Sequence, residues 1–223
     1  MDRHNRDIDY TPKETARIET FSDGVFAIAI TLLILELIQI LHGQTEETLL
    51  KQLIHHWQSL LAFGIGFLTI LICWINHHLT FTYVNKVDSN LMWINGFVLL
   101  VVTFTPFPTA ILAGYITTER HSAMAFYGFN YFMMSLAASA LCSYVYNKDL
   151  IRKDSRELFI CLKLLYQYGI VYTAFAFLVC FVSATASIFL YCLLFIVFAY
   201  PKEFGMMLLR RKHKRNIRRK IAG

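Results

Sequence analysis

Long apolar runs dominate the hydrophobicity pattern of the chain. A helix needs roughly 20 mostly apolar residues to cross about 30 Å of hydrocarbon. Six runs of about this length occur, at 21–41, 57–80, 91–115, 123–145, 164–183 and 186–204. Because only short connections separate them, the pattern predicts an all-α membrane protein in which residues 1–223 form one domain with six transmembrane helices. Its predicted flanks are a short N-terminal segment, 1–17, and a basic tail, 205–223.

The composition and the distribution of charge agree with this interpretation. Hydrophobic residues make up 57% of the 223 positions, which is too many for one soluble core. The N-terminal segment lacks the basic-then-apolar pattern of a signal peptide, so the first run is expected to remain as a spanning helix. Eighteen Lys and Arg residues fall in the N-terminal segment, the second and fourth connections and the tail, whereas the other loops hold only Lys51 and Arg120. Positive segments stay in the cytoplasm, so both termini are predicted to be cytoplasmic.

The basic tail and the cysteines have simple interpretations. A run such as LLRRKHKRNIRRK suits nucleic acid when it stands alone. Directly after a transmembrane helix, it is better explained as an orientation signal and a contact for anionic lipid headgroups, so nucleic acid is not an expected partner. No CxxC spacing occurs, and the cysteines are expected to be small buried hydrophobes. They are Cys73, Cys142, Cys161, Cys180 and Cys192.

Polar residues open the first apolar run. Arg17, Ser22 and Asp23 stand there, although ionisable groups near hydrocarbon are costly and usually face a protein interior or a water-filled path. A snorkelling arginine and an N-terminal cap would explain part of this pattern, but not Asp23, which an uninterrupted apolar helix follows. On a helical wheel, one stripe is apolar with a single hydroxyl, as an ordinary packing face would also be. Its members are Ile28, Leu32, Leu35 and Gln39, with Thr31 beside Ile28.

Arg17, Phe21, Ser22 and Asp23 form the pattern RxxxFSD at the start of the first run. With the GVFAIAITLLILEL that follows and six spans of similar order, this pattern resembles the transmembrane protein 175 family of potassium channels. The resemblance implies that the first helices of the subunits surround a pore and that the RxxxFSD residues support the pore helix. It also implies a homotetramer, as in the one-repeat forms of the family.

The resemblance also assigns roles along the first helix. It places the hydrophobic constriction, or gate, on Ile28, further apolar rings on Leu32 and Leu35, and a selectivity layer on Thr31. A ring of four isoleucines can close a path sterically or by dewetting. Threonine hydroxyls and nearby carbonyl oxygens replace the hydration shell of K⁺ more readily than that of Na⁺, which predicts moderate selectivity. The TVGYG filter of ordinary potassium channels is absent.

Histidines and a tryptophan lie in the second span. The resemblance implies that Trp74 and His77 hold the carboxylate of Asp23. The four histidines His55, His56, His77 and His78 also suggest zinc, but neighbouring histidines point to different helix faces and no carboxylate or cysteine ligand accompanies them. No metal site and no cofactor is therefore expected, and K⁺ is the expected permeant ion.

Other polar or helix-breaking residues in the spans have less specific interpretations. Glu36 lies off the stripe near the outer end of the first span, where it either attracts cations or pairs with a neighbour. Pro106 and Pro108 are expected to bend or interrupt the third span, since each removes a backbone donor. The tyrosines and phenylalanines of the last three spans are expected to face lipid or the membrane interface.

Three classes of function follow from these residues. The leading hypothesis is a potassium channel in a prokaryotic plasma membrane. The alternative is a proton-coupled secondary cation transporter that uses Asp23 and His77. A membrane-embedded enzyme is the third class, and against it no GxSxG or HExxH motif occurs and Ser22 has no base at helical spacing.

Overall fold

The computed structural model describes residues 12–41, 48, 50, 51, 54 and 56–221. The N-terminal residues 1–11 and His55 lie outside the described residues, as do the side chains of Glu36 and Gln39. The longer helices are α1 (Pro12–Leu41), α2 (Trp57–Thr82), α3 (Ser89–Phe104), α4 (Pro106–Tyr115), α5 (Arg120–Asn147), α6 (Arg156–Val179), α7 (Ala184–Ala199) and α8 (Pro201–Ile221). A short antiparallel contact of Val84 with Ile151 joins the connection after α2 to the one after α5.

Several of these helices are long and apolar enough to cross a membrane. Within the described residues, four units meet this criterion: residues 15–35 of α1, all of α2, α3 together with α4, and α6. A fifth unit, α7 with the first part of α8, meets it only as a pair that is bent by 92°. The chain is therefore an integral membrane protein, and its described part is all-α with four or five candidate spans by length and composition.

Helix α5 covers the fourth predicted span but is less apolar than the four units that meet the criterion. At 28 residues it is long enough to span, yet its sequence does not reach the apolar level of the four units. Four of its polar side chains, those of Tyr127, Asn130, Tyr131 and Ser139, are buried in the helix bundle. Tyr127 and Tyr131 contact Thr69 Oγ1 through their hydroxyls at 3.0 and 2.7 Å. The expectation that the tyrosines face lipid is wrong for the buried ones, which are Tyr127, Tyr131, Tyr166 and Tyr191.

The prolines of the third span interrupt it as expected. Helix α3 ends at Phe104 and α4 begins at Pro106. Thr105, between the two helices, is fully buried, and its hydroxyl accepts a hydrogen bond from Asn130 Nδ2 at 3.0 Å. A side chain of α5 therefore stabilises the break, and the two helices still form one span.

The last predicted span, 186–204, is wrong in its last five residues, 200–204. Helix α7 ends at Ala199, and α8 leaves it at 92°. The physical reason is Pro201, which has no backbone N–H to donate and which disfavours the helical conformation at the preceding residue. Tyr200 accordingly has φ −125° and ψ 60°. The fifth span also differs, because α6 begins at Arg156 instead of residue 164.

Helix α1 lies at one edge of the bundle, against α2, α3 and α4. Close approach to α2 depends on Gly66, where an added Cβ would lie 3.1 Å from Leu33 Cδ2 on α1 and 3.0 Å from Thr109 Cγ2 on α4. Gly66 is thus the point at which three helices meet. Gly64, one half-turn away on the same helix, has nothing within 4 Å of its Cβ position.

Gly66→Val is expected to destabilise the protein because the new side chain overpacks the junction with Leu33 and Thr109. Gly64→Val is the matched control, since both variants introduce the same β-branched residue into the same helix. We expect Gly66→Val to lie about 1–3 kcal/mol below the control in free energy of unfolding. Thermal unfolding of the purified protein in detergent measures this difference, and equal melting temperatures would contradict the assigned junction.

Candidate functional site

Helix α1 has one face that is completely buried. Ser22, Phe26, Ala29 and Leu33 are each no more than 1% exposed. Their spacing of four, three and four residues keeps them on one side of a helix with 3.6 residues per turn. This face packs against α2, α3 and α4 and determines the rotation of α1 about its own axis.

The opposite side of α1 is uncovered within the chain, and we call it the open face. Its apolar members Phe21, Ile28, Leu32 and Leu35 are 66%, 59%, 42% and 50% exposed, and Thr31 is exposed among them. The stripe that the helical wheel placed on one side of the first span is therefore the side that the chain's own helices leave open. The Thr31 hydroxyl donates to the Ile28 carbonyl at 2.9 Å.

A fully buried polar contact of α1 runs through Asn95, a buried residue of α3. Asn95 Nδ2 donates to Ser22 Oγ at 2.9 Å, and Ser22 Oγ donates in turn to the Ile18 carbonyl at 2.8 Å. On its other side, Asn95 Oδ1 lies 2.7 Å from Nε2 of His77. Because Oδ1 is an acceptor, His77 must carry its proton on Nε2. One carboxamide therefore joins α1, α2 and α3.

Aromatic rings enclose this hydrogen-bonded chain. The imidazole of His77 lies between Phe26 of α1 and Phe81 of α2, with ring centroids 5.2 and 4.6 Å away. All three side chains are buried. His77 Nδ1 has no hydrogen-bond partner among the described residues. The surroundings are water-poor, and in such surroundings the hydrogen bonds to Asn95 are stronger than they would be in water.

A second polar contact holds Asp23. The indole Nε1 of Trp74 donates to Asp23 Oδ1 at 2.8 Å, as the resemblance implied. His77 does not join it. The sequence analysis placed His77 on Asp23, whereas the structure gives its Nε2 to Asn95. Trp74 and His77 lie three residues apart on α2. Trp74 reaches the carboxylate of Asp23, whereas His77 bonds to Asn95, which in turn holds Ser22 on a different face of α1.

A third contact lies one helical turn nearer the end of the bundle. Glu19 Oε1 is 2.9 Å from Nδ1 of His78, and the imidazole of His78 stacks on the ring of Trp74 at 6.0 Å. Both partners are partly exposed, with 53% of the His78 side chain and 26% of the Glu19 side chain accessible. The Glu19 contact was missed because a glutamate at a helix start is common on solvated faces. The sequence does hint at this contact. Glu19 and Asp23 are four residues apart on α1, as Trp74 and His78 are on α2, so two packed helices can pair them one turn after the other.

Two residues of the RxxxFSD pattern make no such contact. Among the described residues, the Arg17 side chain has no hydrogen-bond or ion-pair partner, and Phe21 is 66% exposed. The support of the pore helix that the resemblance implied for Arg17 and Phe21 is therefore not visible as a contact among the described residues. Both residues lie on the same side of α1 as Ile28.

The sequence analysis also missed Asn95, which lies in the third predicted span. A lone asparagine inside an apolar run is costly unless it is hydrogen-bonded, and this rule was sufficient to single it out.

The cysteines are buried as expected only in part: Cys142, Cys161 and Cys180 are buried, but Cys73 is half-buried and Cys192 is exposed.

Neither a metal site nor a nucleophilic site is formed by the described residues. No group of three or more His, Cys, Asp or Glu side chains in this part of the chain could hold a metal ion. The Ser22 hydroxyl is bonded to the Ile18 carbonyl and to the Asn95 amide, neither of which is a general base. The polar residues around α1 hold helices together.

Comparison with known proteins identifies the family. A family model described as "Endosomal/lysosomal potassium channel TMEM175" matches residues 17–106. "Potassium channel Cha6605_3372" of Chamaesiphon minutus is 38% identical over 190 residues, which cover 83% of this chain and 94% of that protein. The chain belongs to the TMEM175 family. "Potassium channel B446_29190" of Streptomyces collinus is 47% identical over 130 residues, which cover 57% of this chain and 63% of that protein.

Structural comparison agrees with this TMEM175 assignment. The crystal structure of a "lysosomal potassium-selective channel TMEM175 homolog" from Chamaesiphon minutus superposes with a TM-score of 0.73 and 33% identity, covering 85% of this chain and 98% of that one. A zebrafish relative, "Endosomal/lysosomal proton channel TMEM175" of Danio rerio, is 32% identical over 102 residues, 43% of this chain and 20% of that protein. The names of the TMEM175 relatives therefore mention two permeant ions, potassium and the proton.

The Trp74–Asp23 contact is expected to stabilise the TMEM175 fold of this chain. A double-mutant cycle of Trp74→Phe and Asp23→Ala should give a coupling free energy of about 1.5–3 kcal/mol, as for hydrogen bonds to charged groups. The matched control is the exposed Glu19–His78 pair one turn away, for which we expect less than about 1 kcal/mol. Unfolding by sodium dodecyl sulfate in mixed micelles measures both cycles. A larger coupling free energy in the control pair would contradict the prediction that the Trp74–Asp23 contact is the stronger of the two.

Proposed function

We propose that the protein is a moderately selective potassium channel of a bacterial plasma membrane, formed by four copies of the chain. Each copy would form one domain with six spans, α1, α2, α3 with α4, α5, α6 and α7, and would have both termini in the cytoplasm. The observation that carries the proposal is membership of the TMEM175 family together with the open face of α1. Potassium is the ion in the names of the bacterial relatives.

The position of α1 supports an assembly around it. In one chain this helix contacts α2, α3 and α4 through its buried face and through the adjacent side that carries Glu19 and Asp23, and Ile28, Leu32 and Leu35 remain exposed. A single helix cannot enclose a path for ions, and symmetric closure is the common way in which one chain forms a pore. Four open faces turned toward a common axis would line such a path. The same arrangement would bring Arg17 and Phe21 of each chain next to another copy.

The proposed gate is the ring of Ile28 side chains. Ile28 is 59% exposed within the chain, so its side chain is available to project from the open face. Leu32 and Leu35 would extend the apolar section over about 10 Å at 1.5 Å per residue. A constriction of this kind excludes ions when it is too narrow or too dry to keep their hydration water.

The proposed selectivity layer is Thr31. Its hydroxyl donates its proton to the Ile28 carbonyl, so the lone pairs of Oγ1 remain available as acceptors. Four such oxygens could replace part of the hydration shell of K⁺, whose dehydration is less costly than that of Na⁺. No cofactor or resident metal enters this proposal.

Ile28→Asn is expected to raise the leak of ions through the closed channel because an amide ring wets the constriction. Ile34→Asn is the matched control, since Ile34 is an exposed isoleucine of the same helix that lies about one third of a turn around the helix from Ile28. Flux of potassium from liposomes containing the purified protein measures the leak. An unchanged flux in Ile28→Asn, or an equal rise in Ile34→Asn, would overturn the assigned gate.

The first functional measurement is the reversal potential in a planar bilayer with K⁺ on one side and Na⁺ on the other. We expect a potential that favours K⁺ and moves toward zero in Thr31→Ala. Thr103→Ala is the control, because Thr103 is an exposed α3 threonine whose hydroxyl also bonds to backbone carbonyls. A K⁺-selective current that is equal in wild type and Thr31→Ala would keep the channel and discard the selectivity layer.

The same measurement distinguishes the transporter hypothesis. Folded protein that carries no unitary current but moves K⁺ in proportion to a pH gradient would overturn the channel. The structure offers little for that mechanism, since Asp23 and His77 have different hydrogen-bond partners and no hydrogen bond joins them. A current carried by H⁺ alone would overturn the choice of potassium, given the name of the zebrafish relative.

A further inference from the structure

The chain turns through 92° where α7 gives way to α8. A hydrogen bond holds the turn against the helix bundle: the carbonyl of Phe198 accepts from Asn76 Nδ2 of α2 at 2.8 Å. Pro201, the first residue of α8, is buried. If α7 crosses the membrane, as the proposed channel requires, α8 must run nearly parallel to the membrane surface.

A close crossing with α6 determines the depth of α8. A Cβ on Gly205 would lie 2.9 Å from the carbonyl oxygen of Cys161 and 3.0 Å from its Cβ, so only glycine allows this approach. Cys161 lies five residues after the first residue of α6, which corresponds to about 7.5 Å along the helix axis. Helices that lie in a membrane interface sit about 5–10 Å into the boundary between headgroups and acyl chains.

This end of the bundle is also the positively charged end. Lys148 and Arg152 lie in the connection between α5 and α6, next to the start of α6. Positive connections mark the cytoplasmic side. The crossing of Gly205 over Cys161 therefore puts α8 at the cytoplasmic boundary of the membrane.

The charge of α8 is concentrated beyond the crossing. Eight Lys and Arg residues fall between Arg210 and Lys220, with no Asp or Glu among them. Between the crossing and this segment, Met206 and Met207 are 39% and 43% exposed. Flexible apolar side chains match the acyl chains just beneath the lipid headgroups, and dense positive charge matches anionic headgroups. The sequence of α8 therefore fits the surface of a bilayer that contains anionic lipids. Nucleic acid would match the charge but not the two methionines or the crossing at membrane depth.

We propose that α8 is an interfacial helix whose segment 210–220 binds the anionic lipid headgroups of the cytoplasmic leaflet, and that the Gly205–Cys161 crossing holds the segment at their level. The segment would thus attract lipids of one charge class to the cytoplasmic rim of the channel. Because Phe198 is bonded to Asn76, the neighbour of His77 in α2, the binding segment is attached to the bundle and is not a free tail.

The test is retention of lipid by the purified full-length protein in detergent, measured by native mass spectrometry with phosphatidylglycerol and phosphatidylcholine in competition. Wild type is expected to retain phosphatidylglycerol preferentially. Arg210→Gln with Arg211→Gln should weaken that retention by roughly thirtyfold, since each cation near an anionic surface contributes about a factor of five. The matched control removes two cations from the same end of the bundle, Lys148→Gln with Arg152→Gln; because these two stand outside the proposed segment and its dense charge, the loss of retention should be several times smaller.

Three results would overturn the proposal: no preference for phosphatidylglycerol in wild type, an equal loss in the control, or tighter binding of single-stranded DNA than of lipid. Gly205→Leu supplies a second variant, because it should lift α8 from α6 and lower retention while all its cations remain. The bilayer reversal potential separates this proposal from the pore. A chain that prefers phosphatidylglycerol but carries no K⁺ current would refute the channel alone, and a selective current without lipid preference would refute the lipid segment alone.

Discussion

A single carboxamide, that of Asn95, connects the three helices on which the rest of the structure depends. It is buried, so its donor and its acceptor must both be satisfied, and the partners are a serine of α1 and a histidine of α2. The two ends of an amide are not interchangeable. Since Nδ2 must donate to Ser22, Oδ1 must accept from His77, and the arrangement has one direction only. An exchange of any of the three residues for an apolar one would leave a buried polar atom without a partner, which is far more costly than the loss of one exposed hydrogen bond.

The consequence for α1 is geometric. Ser22 shares a helix face with Phe26, Ala29 and Leu33, so a helix whose serine is bound to Asn95 can bury only that face. The Trp74–Asp23 contact acts on an adjacent side of the same turn and opposes rotation about the helix axis. Together the two contacts determine which residues are left uncovered, among them Ile28. Polar groups at one end of the helix therefore control the orientation of apolar groups several turns away, although the two sets do not touch.

Most of the helices could be predicted from apolar runs alone, because the membrane requires long uninterrupted spans whatever they pack against. The turn before Pro201 could not, since run length says nothing about direction and the residues on both sides of the proline are apolar. Tyr127 was misjudged for a similar reason: a tyrosine suits the interface and a buried hydroxyl partner equally well. Within the site, the sequence drew attention to Ser22 and Asp23, which do bond to other helices, but the partner of His77 depends on the rotation of three helices. That rotation is a property of the packed bundle, and a pattern within one helix does not contain it.

The distribution of polar groups also bears on how selective a path along α1 could be. The described chain uses Ser22 and Asp23 to hold helices together, which leaves Thr31 as the hydroxyl on the open face beside Ile28. If four open faces surround a pore, an ion between Ile28 and Leu35 meets one layer of neutral oxygens among apolar rings, because no charged residue falls in that section. Such a layer can favour the ion that loses water more easily, but it cannot bind that ion tightly. Weak binding permits fast exit, so limited discrimination and rapid conduction would have the same structural origin. A transporter requires the opposite, a site that holds its ion while the protein rearranges, and the described side chains of the open face, from Phe21 to Leu35, do not supply the ligands for one.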